Sequence, residues 1–356
     1  MEEPEVITRR SGLLGHLVLN RPQVMNALTH GMVTTIADTL DAWATDDGVA
    51  TVAISGAGER GLCAGGDIVG IYRDATSGGD ATARFWADEY TLNAAIARYR
   101  KPYVAIMDGV VLGGGVGVSA HGSIRVVTER TKLGMPEVGI GFVPDVGGSW
   151  LLSRAPGELG THLAMTGGMG SGADAIALGF ADHVVPSDRL PELLGALESE
   201  PAAQAVARLA VDAPASALAG QRSWIDECYS ADDAGEVLAR LQASSARYAA
   251  EAASAIASKS PTSVCLALAS LRRARTLDSL EHALDQEYRV ALRIMEGTEI
   301  IEGIRAQVID KDRTPHWSPA TIAEVSRADI DHYFEDLGPR ELGLSLLSAR
   351  QNRRTA

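Results

Sequence analysis

The chain has 356 residues, enough for one large domain or two moderate ones, and its 46% hydrophobic and 22% charged content is that of a globular protein. A formal net charge of -14 repels phosphate backbones at long range and argues against a nucleic-acid partner. The three cysteines, Cys63, Cys228 and Cys265, are far apart, with no CxxC pair and no ligand-like His spacing, which argues against a disulfide framework and a metal site.

The acidic start lacks the apolar segment of a secretory signal. No apolar run approaches the roughly 18 residues of a spanning helix, so the expectations are no membrane partner and a cytoplasmic location. His16 to Asn20, HLVLN, reads as a strand closed by Arg21-Pro22. Thr29 to Trp43 reads as a helix, with Met32, Ile36, Leu40 and Trp43 on one face and Thr29 as N-cap. Val49 to Ser55 reads as a buried strand, and Gly56 to Gly66 as a loop rich in Gly and Ala. Tyr103 to Met107 and Ile124 to Thr128 are further strands. Strand, helix and strand joined by Gly-rich loops indicate an α/β fold with a parallel component. Ligands of such sheets bind at the carboxyl ends of the strands. Beyond about residue 190 the chain becomes rich in Ala, Leu, Arg and Glu and reads as several helices, with Pro214, Gly220 and Pro261 as breaks. The expected division is a core over 1–195 and a helical C-terminal region over 196–356.

Two stretches carry candidate chemistry through their backbones. Cys63-Ala64-Gly65-Gly66-Asp67-Ile68 and Gly109 to Gly117, GVVLGGGVG, each follow a strand and precede a helix. A helix start offers free N–H groups and a positive dipole end. One N–H from each stretch would clamp an oxygen as it becomes negative. Alone, the triple glycine also reads as a tight turn, and Asp67 as a helix cap. Neither stretch has the GxxxxGK[ST] pattern of a phosphate loop.

Glu137 and Asp145 stand eight residues apart in MPEVGIGFVPDVGG. Pro136 and Pro144 keep the backbone turned or extended, so both acids are expected on loops. An acid in apolar, Gly-rich surroundings is a candidate general base, because burial raises its pKa. The plainer alternative is a helix cap or an Arg partner for Glu137. Arg21 either closes its turn or approaches a phosphate. Cys63 is read as packing, and His121 as structural.

The stretches LNRPQVMNAL (19–28), GLCAGGDI (61–68), EYTLN (89–93) and the run from Lys101 to Gly148 resemble the crotonase (enoyl-CoA hydratase/isomerase) superfamily. With the run from Glu287 to Trp317 they resemble, within it, the 3-hydroxyisobutyryl-CoA hydrolase group. The resemblance implies a crotonase-like spiral of ββα units followed by a helical C-terminal region. It also implies an acyl-CoA substrate, a homo-oligomer and a place in valine degradation. By that resemblance Gly66 and Gly114 supply the two oxyanion N–H groups, and Ala64, Asp67 and Ile68 line the coenzyme A side through their backbones.

A hydratase of this superfamily places a second carboxylate three residues after the middle glycine, and this chain has Gly117 there. The hydrolase group takes its second acid from PDVGG, here Asp145, and a substrate-contacting glutamate from the EY motif, here Glu89. The implied reaction is hydrolysis of a short 3-hydroxyacyl-CoA thioester, with Glu137 as base or nucleophile and no metal or redox cofactor; coenzyme A belongs to the substrate. The alternatives are an enoyl-CoA hydratase or isomerase using Glu137 alone, and a non-catalytic acyl-CoA-binding member.

Overall fold

A computed structural model describes residues 3–347; residues 1–2 and 348–356 fall outside them. The chain divides into two compact units, each assembled from separated segments. The first takes Met1–Asp67, Thr91–Gly134 and Met169–Ala219; the second takes Ile68–Tyr90, Met135–Gly168 and Gly220–Ala356.

The first unit holds two sheets. Strands β1 (Val6–Ser11) and β2 (Leu14–Leu19) form an antiparallel hairpin. Parallel to β2 run β3 (Thr51–Gly56), then β5 (Tyr103–Met107), β7 (Ile124–Val127) and β10 (His183–Val184), giving a six-stranded sheet in the order β1-β2-β3-β5-β7-β10. The four-stranded sheet holds the three-residue strands β4 (Gly61–Cys63), β6 (Val110–Leu112), β8 (Lys132–Gly134) and β9 (Met169–Ser171). Each long strand β3, β5 and β7 is followed in the chain by a short one in the other sheet. This alternation is the repeating unit of the spiral. Strands β4, β6 and β8 are parallel and adjacent, so the chain leaves all three at the same end.

Three of the sequence-predicted strands match closely, and Tyr103–Met107 has the expected ends. Thr29 caps the helix His30–Ala44 by accepting from the Met32 N–H at 3.1 Å. The expected loop over Gly56 to Gly66 contains β4, and the stretch Gly109 to Gly117 contains β6 and a single helical turn, Gly114–Gly117. Three residues carry no period, so these strands were invisible to patterning.

One face of the six-stranded sheet is covered by the helices Leu190–Leu197 and Ala202–Leu209. Ala53, Val104 and Val126 of the strands meet Leu193, Leu197 and Val206 of the helices. Among the described residues the C-terminal part of the second unit has helices and no strand, as the composition implied. Its longest members are Pro261–Ala274 and Leu280–Ile294. Pro261, expected as a break, is the first residue of its helix, where a missing N–H is harmless; Ser260 caps it by accepting from the Ser263 N–H at 3.0 Å.

Leu193 is fully buried under the sheet. Leu193→Ala should lower the unfolding free energy by about 2–5 kcal/mol, measured by urea titration. A loss under about 1 kcal/mol would mean that this helix adds little to the core.

Candidate active site

Within the first unit, the ends of β4 and β6 bring the two glycine stretches together. Gly65, at φ +110°, has Leu112 O, Gly113 Cα and Gly114 N as the nearest atoms to where a Cβ would stand, Gly114 N at 3.9 Å. A Cβ on Gly115 would meet Cys63 O at 2.6 Å and Cys63 Cβ at 2.9 Å. Both positions therefore require glycine, one for its φ and one for the close approach.

The N–H groups of this corner divide into used and unused. Ala64 N–H donates to Met25 O at 2.9 Å and Asp67 N–H to Leu28 O at 2.8 Å. Gly65 O accepts from the Leu28 N–H at 2.8 Å. Among the described residues, neither the Gly66 N–H nor the Gly114 N–H donates to a protein acceptor. Gly114 opens its short helix after Gly113, which has no side chain to cap it. Two unsatisfied donors on loops fixed from both sides are what an oxyanion hole requires.

The Cys63 Sγ packs into the same loop, fully buried, and bonds the Gly65 backbone at 3.4 Å. Arg21 pairs with Glu5 at 3.0 Å and with Asp67 at 3.1 Å, and donates to Ala27 O at 2.6 Å. Of its two readings, the turn-closing one describes these contacts. The Ala64 and Asp67 N–H groups are already committed, and Ile68 opens the helix Ile68–Ser77 of the second unit.

Four of the buried carboxyls of the second unit lie close enough to act on one another's ionisation. Glu89 lies on the helix Ala81–Ala97, Glu137 opens the 3-10 turn Glu137–Ile140, Asp145 lies in the irregular stretch before the helix Gly148–Ser153, and Glu287 is on Leu280–Ile294. Neither Glu137 nor Asp145 lies on an α-helix, as expected from the flanking prolines. Tyr90, also fully buried, donates its hydroxyl to Asp145 Oδ2 at 2.7 Å. Trp86 stacks on Phe142 with centroids 5.0 Å apart, and Tyr90 meets Tyr288 edge-on at 6.2 Å. Among the described residues none of these four acids has an ion-pair partner. Glu89 Oε1 and Glu137 Oε2 are buried with no hydrogen-bond partner at all. Unsatisfied polar atoms of this kind call for an explanation, and a ligand-binding or catalytic role is a leading one.

Burial therefore dominates their ionisation. Desolvation, then the charge of Asp145, push Glu89 well above the ordinary glutamate range. Glu137 is pushed up by desolvation and by Asp145, with smaller contributions from Glu287 and Glu89. Asp145 rises to about 7 through desolvation, against the lowering bond from Tyr90. Glu287 rises to about 8, again through desolvation and despite its bonds to Ser149 and Gly147.

The chain as a whole has known relatives. The model of the enoyl-CoA hydratase/isomerase family matches residues 14–334. The chain belongs to this family. It is 40% identical over 353 residues to the mitochondrial 3-hydroxyisobutyryl-CoA hydrolase of Rattus norvegicus, covering 96% of this chain and 91% of that one. The Homo sapiens enzyme of the same name is 37% identical, at 95% and 90% coverage. Among solved structures, a carnitinyl-CoA dehydratase from Mycobacterium thermoresistibile is similar with a TM-score of 0.93 and 55% identity, covering 96% of this chain and 98% of that one. An enoyl-CoA hydratase from Rhodobacter sphaeroides 2.4.1 gives 0.90 and 38%, at 95% and 99%. The fold is thus the crotonase one. Among the described residues no helix is long and apolar enough to cross a membrane, and no group of three His, Cys, Asp or Glu side chains is placed to hold a metal ion.

The structure gathers Gly66 and Gly114 in one unit, and Glu89, Glu137 and Asp145 in the other. Sequence reasoning assigned nothing to Tyr90 or Glu287, although both lie in stretches that carried the resemblance. The signal for Glu287 was available. On the helix Leu280–Ile294 it is flanked at helical spacing by the buried Ala283, Leu284, Val290 and Ala291. A charge on a buried helix face needs a partner or a purpose.

The raised pKa of Asp145 fixes the sign of a stability effect. Between its ordinary value of 3.8 and about 7 the folded chain binds more protons here than the unfolded one. This group's contribution therefore falls as pH rises through that window, and its full cost is present above pH 7. Asp145→Asn should stabilise the protein by about 2–4 kcal/mol at pH 8 and by much less near pH 5, read from denaturation at both pH values. An equal gain at the two would assign the effect to packing instead.

Proposed function

We propose that this chain hydrolyses a short 3-hydroxyacyl-CoA thioester, of the 3-hydroxyisobutyryl-CoA kind, to the free hydroxy acid and coenzyme A. The observation that carries the reading is the buried set Glu89, Glu137 and Asp145, with unpartnered oxygens on both glutamates. The relatives named as 3-hydroxyisobutyryl-CoA hydrolases, matched over nearly the whole chain, support it.

In this reading the thioester carbonyl oxygen accepts from the Gly66 and Gly114 N–H groups, which stabilise the charge it gains in the tetrahedral state. Glu137, with its raised pKa, is a stronger base than an ordinary carboxylate. It takes a proton as water adds to the carbonyl carbon, or adds itself to give a mixed anhydride that water then opens. The C–S bond breaks, and the coenzyme A thiolate leaves with the electron pair and is protonated. Asp145 orients the acyl group or the water, and Glu89 receives the 3-hydroxyl. The reading needs protein groups alone.

A second reading has its own support. The 55% identical structure is that of a carnitinyl-CoA dehydratase, which suggests water addition and elimination at a carbon chain. Against it stands Gly117, buried in the single turn Gly114–Gly117, at the position where hydratases of the superfamily carry their second acid.

Thiol release from 3-hydroxyisobutyryl-CoA and hydration of crotonyl-CoA, run in parallel, separate the two. Rapid release that drops about 100- to 10,000-fold in Glu137→Gln, with little hydration, is expected. Hydration without release would sink the hydrolase reading. Gly115→Ala should cut turnover by about 100-fold, because the added methyl collides with the Cys63 backbone and displaces one oxyanion donor. Unchanged kcat in that variant would remove these donors from the mechanism.

A further inference from the structure

Glu287 is about 1% exposed and accepts three hydrogen bonds. The Gly147 N–H donates to its Oε2 at 2.7 Å, the Ser149 N–H to its Oε1 at 2.9 Å, and the Ser149 hydroxyl to the same Oε1. These N–H groups belong to the start of the helix Gly148–Ser153, whose N-cap position is Gly147 and has no side chain. The intervening Gly148 N–H donates to the Asp145 carbonyl at 2.6 Å. The helix start is therefore satisfied jointly by Glu287 and by the backbone of Asp145.

The stretch from Asp145 to Gly148 is a tight turn whose two central residues both have positive φ, Val146 at 52° and Gly147 at 79°. Such a value suits Gly147. For the β-branched Val146 it is disfavoured and persists only where the surroundings over-determine it. Glu287 grips the far side of this turn through Gly147 and Ser149. On the near side the Asp145 carboxylate receives the Tyr90 hydroxyl.

We propose that Glu287 is the positioning residue of Asp145: its carboxyl locks the left-handed Val146-Gly147 turn and so aims the Asp145 carboxyl at Tyr90 and at the bound acyl group. The proposal rests on the reading that Asp145 works on an acyl-CoA substrate. Glu287 itself touches no substrate. Gln cannot replace it, since its amide would point a donor at one of the two N–H groups.

The test is a double-mutant cycle on the full chain, with kcat and KM for thiol release from 3-hydroxyisobutyryl-CoA. Glu287→Gln should lower kcat by about 10- to 100-fold with KM little changed, and Ser149→Ala should do so by less. In the Asp145→Asn background, Glu287→Gln should cost nothing further, because the group it aims is gone. Additive losses, or an unchanged kcat in the folded single variant, would overturn the proposal and leave Glu287 as a helix cap only. Ser149→Ala carries the cycle if Glu287→Gln does not fold. Should wild type hydrate crotonyl-CoA and release no thiol, the hydrolase reading fails by itself, and the same cycle on hydration decides the role of Glu287. Amide exchange of the 145–149 segment is independent of activity: Glu287→Gln should accelerate it, and unchanged exchange also overturns the proposal.

Discussion

Taking carboxyl groups out of water without a counter-charge is the constraint around which the helical unit is arranged. Glu89, Glu137, Asp145 and Glu287 are all buried, and no Arg or Lys among the described residues is paired with any of them. Elsewhere in the same unit a buried acid is treated in the ordinary way: Glu158 meets Arg272 at 2.9 Å and Arg275 at 2.8 Å, and its pKa is lowered despite its burial. The contrast separates a charge-compensated carboxylate from uncompensated ones. Only a rigid frame keeps uncompensated acids from turning toward water. The stacked Trp86 and Phe142, the Tyr90–Tyr288 contact and the helix Leu280–Ile294 supply it. Hydrogen bonds then sort the four acids. Asp145 and Glu287 are bonded and rise to about 7 and about 8, whereas Glu89 and Glu137, each with an unpartnered oxygen, are raised well above the ordinary glutamate range by desolvation first.

The first unit solves the opposite problem, keeping donors unspent. Short parallel strands do this by ending early. β4 stops at Cys63 and β6 at Leu112, and beyond β4 the Cys63 Sγ and the Leu28 carbonyl take the N–H groups on either side of Gly66, while that of Gly66 itself has no acceptor among the described residues. Donors held in place before substrate arrives need no reorganisation when charge develops. This places the glycines under two demands, conformational at Gly65 and steric at Gly115, and explains why so much chain with no side chains can carry chemistry.

Much of this was legible in the sequence, for identifiable reasons. Long buried strands such as Tyr103–Met107 announce themselves by composition, and the cap at Thr29 by its residue type. The acids Glu137 and Asp145 stood out because proline and glycine surround them. The short strands β4, β6, β8 and β9 did not, since three residues cannot show alternation and their pairing is set by neighbours far away in the chain. Nor did the interleaving of the two units, in which Glu89 and Glu137 belong with the helix Leu280–Ile294 far downstream of both. Glu287 was legible only as a charge on an apolar helix face, and its partners, backbone N–H groups at Gly147 and Ser149, leave no trace in side-chain chemistry.

The choice between water added to a double bond and water added to a thioester turns on the number of groups that handle protons. Hydration requires a proton to be delivered to carbon while hydroxide is delivered to its neighbour, which is easiest with two opposed acids. At position 117 this chain has backbone alone, inside a turn whose first N–H is committed to the oxyanion role in the proposed mechanism. Acyl transfer needs one group to activate the attacking oxygen, since the thiolate is a good enough leaving group to depart with little help. In the proposed reading, Glu89 and Asp145 are then free to recognise a polar acyl chain. A buried carboxyl is a strong discriminator for a hydroxyl, because an acyl group lacking it leaves the acid unsatisfied in a dry site. The unpartnered oxygen of Glu89 is thus better matched to a hydroxylated acyl group than to a plain one.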